Sequence, residues 1–198
     1  MKTIVLATLA GAFALATVNA KEVGQPAPQF AAKDLKGESV SLADLRGKTV
    51  VLEWVNFSCP FVKKHYSSGN MPKLQADYGA KGVVWITVNS SAKGKQGHAE
   101  PAEMVSLAAK EGNKAAHFVM DTDGTIGKAY DAKVTPHMYV IDKEGVLVYN
   151  GAIDSKATTE AADVATADKL FANALDAVLA GKEVPEAKNK PYGCGVKY

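Results

Sequence analysis

Two cysteines stand out among the residues of this 198-residue chain that could do chemistry, Cys59 and Cys194. Cys59 follows a β-branched stretch and directly precedes Pro60, and proline is favoured at the first position of a helix. Cys59 is therefore expected to be the N-cap of that helix, where the free amides of Phe61 and Val62 and the helix dipole stabilise a thiolate. The alternative is a buried, inert cysteine, which fits a strand-to-helix turn poorly. The position predicts a reactive thiol with a lowered pKa.

Charged residues flank Cys59 in the sequence. Lys63 and Lys64 lie one turn into the expected helix, and their positive charge favours the thiolate further. Glu53 lies six residues before Cys59, in an otherwise apolar stretch. Burial would raise the pKa of this carboxyl and suit it to proton transfer near neutral pH. The alternative for Glu53 is a structural carboxylate paired with a lysine, because an unpaired buried charge is costly.

Cys194 lies between Gly193 and Gly195 in the last segment of the chain, residues 182–198, which is predicted to be a flexible, extended tail. At about 3.3 Å per extended residue, this tail is long enough to reach across a small domain. Cys194 could then resolve an oxidised Cys59. The alternative is a permanent structural disulfide between the two cysteines, which chain entropy would favour by roughly 5 kcal/mol. The flanking glycines permit movement and favour the redox interpretation.

The elements that must position these residues alternate between strands and helices. Dense β-branched stretches predict a buried central strand over 49–55 and a second strand over 83–88. The other expected elements are helices over 60–66, 70–78, 101–111, 126–130 and 163–179, strands over 116–120, 137–141 and 146–149, and an N-terminal β-hairpin within 21–48. Strand–helix alternation followed by an antiparallel hairpin predicts an α/β fold with a central mixed sheet flanked by helices.

Two motifs resemble the thioredoxin superfamily. One is the run Trp-Val-Asn-Phe-Ser-Cys-Pro-Phe-Val over 54–62, after the central strand, and the other is Val-Thr-Pro over 134–136, before the second hairpin. More narrowly, the chain resembles the exported redoxins, a group that includes alkyl hydroperoxide reductase and thiol-specific antioxidant domains as well as membrane-facing thiol–disulfide oxidoreductases. The resemblance covers about residues 24–180. It implies a thioredoxin-like fold with Cys59 as the nucleophile.

The resemblance also implies roles for other residues. Glu53 matches a buried carboxylate that accepts a proton beneath the cysteines. The Thr135–Pro136 peptide bond is expected to be cis and to lie beside the thiol, where the backbone before the proline pairs with a substrate peptide. Pro60, Thr135, Pro136 and Asn56 are the expected substrate-binding residues, with Asn56 as a hydrogen-bond donor.

The chain departs from the family patterns in two respects. Thioredoxins have a second cysteine three residues after the first, but Val62 occupies that position here, so a local resolving cysteine is missing. Peroxiredoxins have Thr or Ser three residues before the cysteine, Pro seven before, and an arginine over the thiolate. Here those two positions hold Asn56 and Leu52, and the only arginine, Arg46, lies before the central strand. The set of residues that activates peroxide is therefore incomplete.

Composition argues against several classes of function. Lys and Arg number 23 against 21 Asp and Glu, a net charge of +2, so no charge excess drives binding to nucleic acid. Only one of these cations is an arginine, which argues against phosphate recognition as well. The 4 histidines show no metal-ligand spacing, and we expect neither a metal site nor a cofactor.

Residues 1–20 have the pattern of a secretory signal peptide, with a positive Lys2, an apolar run over 4–16 and a small-residue cleavage site over 18–20. The apolar run is too short for a transmembrane anchor, and no later stretch is long enough to span a membrane. We therefore expect a domain over 21–181 that is exported, in the bacterial periplasm, and not stably inserted in a membrane.

These inferences predict an exported, thiol-dependent oxidoreductase in which Cys59 attacks a disulfide or another oxidant and Cys194 resolves the intermediate. The expected partners are a protein disulfide or a small oxidant, and an unidentified thiol reductant. One alternative is a thiol peroxidase that acts on hydroperoxides. Another is a redox-inert binding module with a structural Cys59–Cys194 disulfide.

Overall fold

The computed structural model describes residues 22–198, so the predicted signal peptide over 1–20 lies outside the described residues. The strands are β1 (Ala31–Lys33), β2 (Ser39–Ser41), β3 (Val50–Trp54), β4 (Val84–Asn89), β5 (His117–Met120), β6 (Val134–Thr135), β7 (His137–Ile141), β8 (Leu147–Gly151) and β9 (Cys194–Gly195). The helices are α1 (Pro60–Ser67), α2 (Asn70–Ala80), α3 (Pro101–Lys110), α4 (Thr125–Tyr130) and α5 (Leu170–Leu179), with 3₁₀ turns at Ala43–Leu45 and Ala161–Ala165.

The central sheet has five strands in the order β5–β4–β3–β7–β8. β3 pairs in parallel with β4, which pairs in parallel with β5, whereas β7 is antiparallel to both β3 and β8. The predicted α/β fold with a mixed central sheet is confirmed. The expected N-terminal hairpin is also present, as the antiparallel pair β1 and β2. Within the described residues, no helix is both long and apolar enough to span a bilayer.

Both faces of the central strand β3 are buried, in agreement with a sequence that is apolar except for Glu53. Val51 packs on the face covered by α1, α2, α3 and α5. Leu52 and Trp54 pack on the opposite face, against α4 and the hairpin. Full burial of a side chain such as Leu52 contributes roughly 1.5–3 kcal/mol to the free energy of folding. The end of β3 is therefore a rigid base for the residues that follow it.

The last helix is shorter than the sequence predicts. A helix over 163–179 was expected, but a 3₁₀ turn occupies Ala161–Ala165 and α5 begins only at Leu170. The intervening segment is fixed to the loop after β8, because the Asp168 amide donates to Ser155 Oγ at 2.9 Å and the Ser155 amide donates to the Asp168 carbonyl at 3.1 Å. These tertiary hydrogen bonds override the helical spacing of the apolar residues.

The tail, residues 182–198, lies along the domain in an extended course. The Asn150 amide donates to the Ala187 carbonyl at 2.9 Å, and β9 pairs antiparallel with β6. Beyond β9, the Ala92 amide donates to the Lys197 carbonyl at 2.8 Å. The tail thus crosses the carboxyl end of β3, and its flexibility stays a prediction.

Candidate active site

Cys59 is the N-cap of α1, just beyond the carboxyl end of β3. The turn before it is closed by Asn56, whose side-chain Oδ1 accepts from the Ser58 amide and whose carbonyl accepts from the Cys59 amide, both at 2.9 Å. Pro60 then occupies the first turn of the helix, and the Cys59 carbonyl accepts the first helical hydrogen bond, from Lys63 at 2.9 Å. A rigid strand, an Asx turn and a proline therefore fix the position of the thiol.

Thr135 and Pro136 lie directly against this thiol. The Thr135–Pro136 peptide bond is cis, as the resemblance implied. The Cys59 Sγ is 3.2 Å from the Thr135 carbonyl oxygen. The backbone before the proline is therefore within hydrogen-bond distance of the reactive atom.

The tail brings the second cysteine to the first. In the register of the β6–β9 pair, Thr135 faces Cys194 and Val134 faces Gly195. The Cys59 and Cys194 Sγ atoms are 2.7 Å apart, and both residues are free thiols. The two cysteines, 135 residues apart in sequence, are thus in direct contact.

The shared environment lowers the pKa of the Cys59 thiol and raises the pKa of the Cys194 thiol. Burial alone would raise the pKa of Cys59, but hydrogen bonds from the Cys194 thiol, the Thr135 side chain and the Val62 amide stabilise the thiolate, and the net effect lowers this pKa. Burial and the neighbouring Cys59 raise the pKa of Cys194 to about 11. The first proton lost by the pair therefore comes from Cys59. Of the two amides suggested by the sequence, that of Val62 contributes.

The tail also covers the site. Cys59 is completely buried, whereas Cys194 is partly exposed. β9 occupies the edge of β6 beside the cis bond, which is the backbone that the resemblance assigned to a substrate peptide. A bulky substrate can therefore reach Cys59 only when the tail moves.

Glu53 is fully buried on the same face of the sheet as Cys59, beneath α1 and α2. Its carboxylate accepts four hydrogen bonds, from Tyr66 Oη and Gln75 Nε2 at 2.8 Å, Trp85 Nε1 at 2.9 Å and Thr87 Oγ1 at 3.3 Å. Burial raises the pKa of Glu53, against the opposing effect of these donors. Within residues 22–198, no lysine pairs with Glu53 and none of its hydrogen bonds reaches Cys59.

The other site residues predicted from the sequence divide into two groups. Pro60, Thr135 and Pro136 lie around the Cys59–Cys194 pair. Asn56 belongs to the second group, because its side-chain amide donates to the Gln96 carbonyl at 3.1 Å, and its role as a hydrogen-bond donor to a substrate stays a prediction. Asn56 fixes the loop that carries Cys59.

A polar cluster beside the site was missed by the sequence analysis. Lys64 was expected to add positive charge near the thiol, but its fully buried ammonium lies 3.4 Å from Asp154 Oδ2. His65 and Tyr192 complete the cluster, with His65 Nε2 3.1 Å from Tyr192 Oη. The adjacent Lys64 and His65 were a weak signal, since two polar, ionisable residues follow an apolar helix start, but their partners are about 90 and 130 residues away.

Asp34, Glu38 and His117 form a group of potential metal ligands within the described residues, with ligand atoms no more than 4.8 Å apart. The Asp34 Oδ1 accepts from the amides of Lys36 and Glu38, both at 2.9 Å, and Oδ2 is 2.9 Å from His117 Nδ1. These contacts close the β1–β2 turn and fix it to β5.

Comparisons with known proteins agree with this geometry. A family model described as Redoxin matches residues 22–170. The chain is 29% identical over 155 residues to the thioredoxin-like protein YneN of Bacillus subtilis (strain 168), a match that covers 75% of this chain and 85% of YneN. It is 28% identical over 127 residues to the thiol-disulfide oxidoreductase ResA of the same organism, covering 63% of this chain and 64%, less than two thirds, of ResA. A solved structure of an uncharacterized conserved protein from Geobacillus kaustophilus matches with a TM-score of 0.75 and 30% identity, covering 91% of this chain and 94% of the other.

Proposed function

The chain belongs to the Redoxin family and is an oxidoreductase, and from that premise we propose that it exchanges thiols and disulfides through Cys59 and Cys194. The observation that supports this most strongly is the direct contact of the two sulfurs, 2.7 Å apart, with a lowered pKa on one and a raised pKa on the other. An arrangement of this kind provides one attacking thiolate and one resolving thiol.

The proposed reaction begins when the tail moves aside and the Cys59 thiolate attacks a substrate disulfide. The substrate S–S bond breaks, a mixed disulfide forms at Cys59, and one substrate thiolate leaves with the bonding electron pair. The Cys194 proton then passes to the substrate thiolate that has left, and the Cys194 sulfur attacks the Cys59 sulfur. The bond between Cys59 and the substrate breaks, the second substrate thiolate leaves with the bonding electron pair, and the Cys59–Cys194 disulfide forms. The two electrons gained by the substrate come from the two cysteines, and an external thiol reductant restores them.

The acidity of Cys194 suits this order of events. Burial is the largest cause of its raised pKa, and the next two are its hydrogen bond to Cys59 and the charge of Cys59. Both disappear when Cys59 becomes a mixed disulfide, so the pKa of Cys194 falls at the step that requires its thiolate. Cys194 is therefore protonated and unreactive before the mixed disulfide forms, and its attack on Cys59 is favoured afterwards.

The test is to equilibrate the reduced full-length protein with mixtures of reduced and oxidised glutathione, alkylate the remaining thiols and weigh the products. Both cysteines should become protected together as one intramolecular disulfide. Cys194→Ser should accumulate a glutathione adduct at Cys59, because the second step is blocked. Cys59→Ser should react slowly. A Cys59→Ser variant that reacts with oxidised glutathione as fast as the parent would contradict the proposal.

The peroxidase alternative is less well supported. Arg46 lies before β3 and donates to the Glu144 carbonyl in the β7–β8 turn, at the opposite end of β3 from Cys59. The cation that would polarise a peroxide over the thiolate is therefore far away, and Asn56 is directed to Gln96. Hydroperoxide should oxidise Cys59 no faster than it oxidises an ordinary thiolate. A large acceleration would favour the peroxidase.

The alternative of a redox-inert module with a structural disulfide is separated by the same titration. A disulfide that opens and closes across the range of glutathione mixtures supports the oxidoreductase. A bond that resists every mixture in the folded protein supports the structural alternative.

We also propose that the protein acts after export, on the basis of the signal-peptide pattern over residues 1–20. Its substrate would be a protein disulfide or a small oxidant, and its reductant an exported thiol protein. The Cys194→Ser variant is the natural bait, because its mixed disulfide with a substrate cannot be resolved from within the chain. Partners recovered with Cys194→Ser, released by reductant and absent with Cys59→Ser would identify the substrate.

A further inference from the structure

Three ionisable side chains are buried together beside the active site, and the proposed reaction does not use them directly. Lys64 and His65 come from α1, and Asp154 follows β8. Lys64 Nζ and His65 Nε2 lie 3.4 Å and 3.8 Å from Asp154 Oδ2. The Lys64 ammonium also donates to the Lys156 carbonyl at 2.7 Å. Buried charges are costly unless they are paired and hydrogen-bonded, so this cluster needs a reason to exist.

The tail provides the partner of this cluster. Tyr192 places its hydroxyl among all three side chains. Tyr192 Oη donates to Asp154 Oδ1, and it lies 3.1 Å from His65 Nε2 and 3.5 Å from Lys64 Nζ. Its ring packs against the ring of Phe61, with centroids 5.8 Å apart. Lys64, His65 and Asp154 thus form the binding site for Tyr192 of the tail.

A hydrogen bond from Asn70 to His65 fixes the directions of the hydrogen bonds in this cluster. Asn70 Nδ2, which can only donate, lies 2.9 Å from His65 Nδ1. His65 Nδ1 is therefore the acceptor, Nε2 carries the hydrogen, and His65 donates to Tyr192, which donates to Asp154. Burial lowers the pKa of His65 to about 4, and burial together with Asp154 raises that of Tyr192, so both remain neutral in this chain of bonds.

Tyr192 is close enough to Cys194 to control its position, because only Gly193 separates them. The strand pairing that holds Cys194 is only two residues long. Gly193 approaches Thr135 so closely that an added Cβ would lie 2.0 Å from the Thr135 carbonyl oxygen. A displacement at Tyr192 is therefore transmitted through a tightly fitted residue to the sulfur.

We propose that Tyr192 is a positioning residue for the redox reaction: its hydroxyl, bound by Asp154 and His65, holds Cys194 against Cys59 and holds the tail closed over the site. This role rests on the proposed function, since it sets the effective concentration of the resolving thiol. The same bonds must break when the tail moves to admit a substrate. Tyr192 thus determines both how stable the Cys59–Cys194 disulfide is and how readily Cys59 becomes accessible.

The test compares Tyr192→Phe, which keeps the ring and removes the hydroxyl, with Tyr78→Phe as a matched control. Tyr78 is a buried tyrosine whose hydroxyl donates to the Ala172 carbonyl at 3.2 Å, and this hydrogen bond does not involve the tail. Tyr192→Phe should lower the equilibrium constant for the Cys59–Cys194 disulfide against glutathione by about 10-fold, and Tyr78→Phe by less than about 2-fold. In a Cys194→Ser background, Tyr192→Phe should raise the rate at which Cys59 is alkylated by about 10-fold.

Two different failures are distinguishable. If the parent forms no Cys59–Cys194 disulfide in any glutathione mixture, the proposed function is wrong. If the parent forms it and Tyr192→Phe has the same equilibrium constant and the same alkylation rate, only the role of Tyr192 is wrong. Melting temperatures of both phenylalanine variants identify a general loss of stability. If both variants change the disulfide equilibrium constant only in proportion to their loss of melting temperature, the role of Tyr192 is also wrong.

Discussion

At the residue scale, the two thiols differ because each is the other's nearest polar neighbour. A proton shared between two sulfurs leaves one of them as a stabilised thiolate, and the hydrogen bonds of Cys194, Thr135 and the Val62 amide favour the thiolate at Cys59. The Val62 amide helps to lower the pKa of Cys59, whereas burial and Cys59 itself raise the pKa of Cys194. The site therefore separates the pKa values of two chemically identical groups, even though the charge of Lys197 opposes the increase at Cys194.

This separation predicts the pH dependence of the reduced protein. Thiolate absorbance should rise in two steps, the first with a pKa below that of an ordinary thiol and the second near 11. The rate of attack by Cys59 should increase with pH up to the first pKa and then level off, since only the thiolate attacks. In Cys59→Ser the pKa of Cys194 should decrease, because the contributions of Cys59 vanish and that of burial remains. A single step at the ordinary thiol pKa for both cysteines would contradict the assignment.

Glu53 carries the next prediction, that it moves a proton during the resolving step. Glu53→Gln should leave the first attack within about 2-fold of the parent and slow the release of the second substrate thiol by about 100-fold, the lower end of the range for general acid–base groups. Stopped-flow measurement of the two phases separates these effects. Since no hydrogen bond of the described residues joins Glu53 to Cys59, a proton must pass through an intermediary.

A structural role for Glu53 would give a different result. Four donors converge on its carboxylate, so an amide in its place would direct hydrogen atoms at a donor. The variant is expected to lose roughly 1–3 kcal/mol of stability for this reason alone. If stability falls by that amount while both kinetic phases stay at the parent rate, Glu53 is structural.

At the element scale, the pairing of β6 with β9 depends on a glycine. Gly193 has a φ of +138°, and a Cβ there would lie 2.0 Å from the Thr135 carbonyl oxygen. Gly195, on the other side of Cys194, has open space, since its added Cβ would come no closer than 3.9 Å to the Lys133 carbonyl oxygen. The two glycines that flank Cys194 are therefore not equivalent.

We expect Gly193→Ala to displace β9 from β6 and lower the equilibrium constant for the Cys59–Cys194 disulfide by about 10-fold or more, because an L residue is strained there and its Cβ clashes with backbone. Gly195→Ala is the matched control and should change it by less than about 2-fold. Titration against glutathione measures both. Equal effects of the two alanines would show that the close approach at Gly193 does not position Cys194.

Elements and site differ in how far the sequence predicts them. The strands follow from β-branched runs, and β3 differs from its expected bounds, 49–55, by one residue at each end. Cys59 could be assigned from its local context, because the strand, the turn and Pro60 are all adjacent. The role of Lys64 could not be assigned in this way, because its ammonium contacts Asp154 and Tyr192, which only tertiary folding brings near α1. Local rules predict where an element begins, whereas a buried cluster depends on contacts that the spacing does not encode.

At the scale of the whole molecule, the proposed disulfide would join the end of the central strand to the end of the chain. Cys59 and Cys194 are 135 residues apart, so the bond would close a loop that contains all five helices α1–α5 and the strands β4–β8. Such a loop restricts the unfolded chain far more than the folded one, in which the two sulfurs already touch. Redox state should therefore be coupled to the stability of the entire domain.

The oxidised protein is accordingly expected to be more stable than the reduced protein, by up to roughly 5 kcal/mol if chain entropy alone operates, and by less if the unfolded chain is already compact. Guanidinium unfolding of the two forms measures the difference, and hydrogen exchange over residues 182–198 should show greater protection in the oxidised form. Cys194→Ser treated with the same oxidant is the control and should show no such gain. By linkage, the free energy that the disulfide adds to the fold is the free energy by which folding makes that disulfide harder to reduce. Unfolding midpoints that coincide for the oxidised and reduced parent would contradict this coupling, even if the disulfide itself forms.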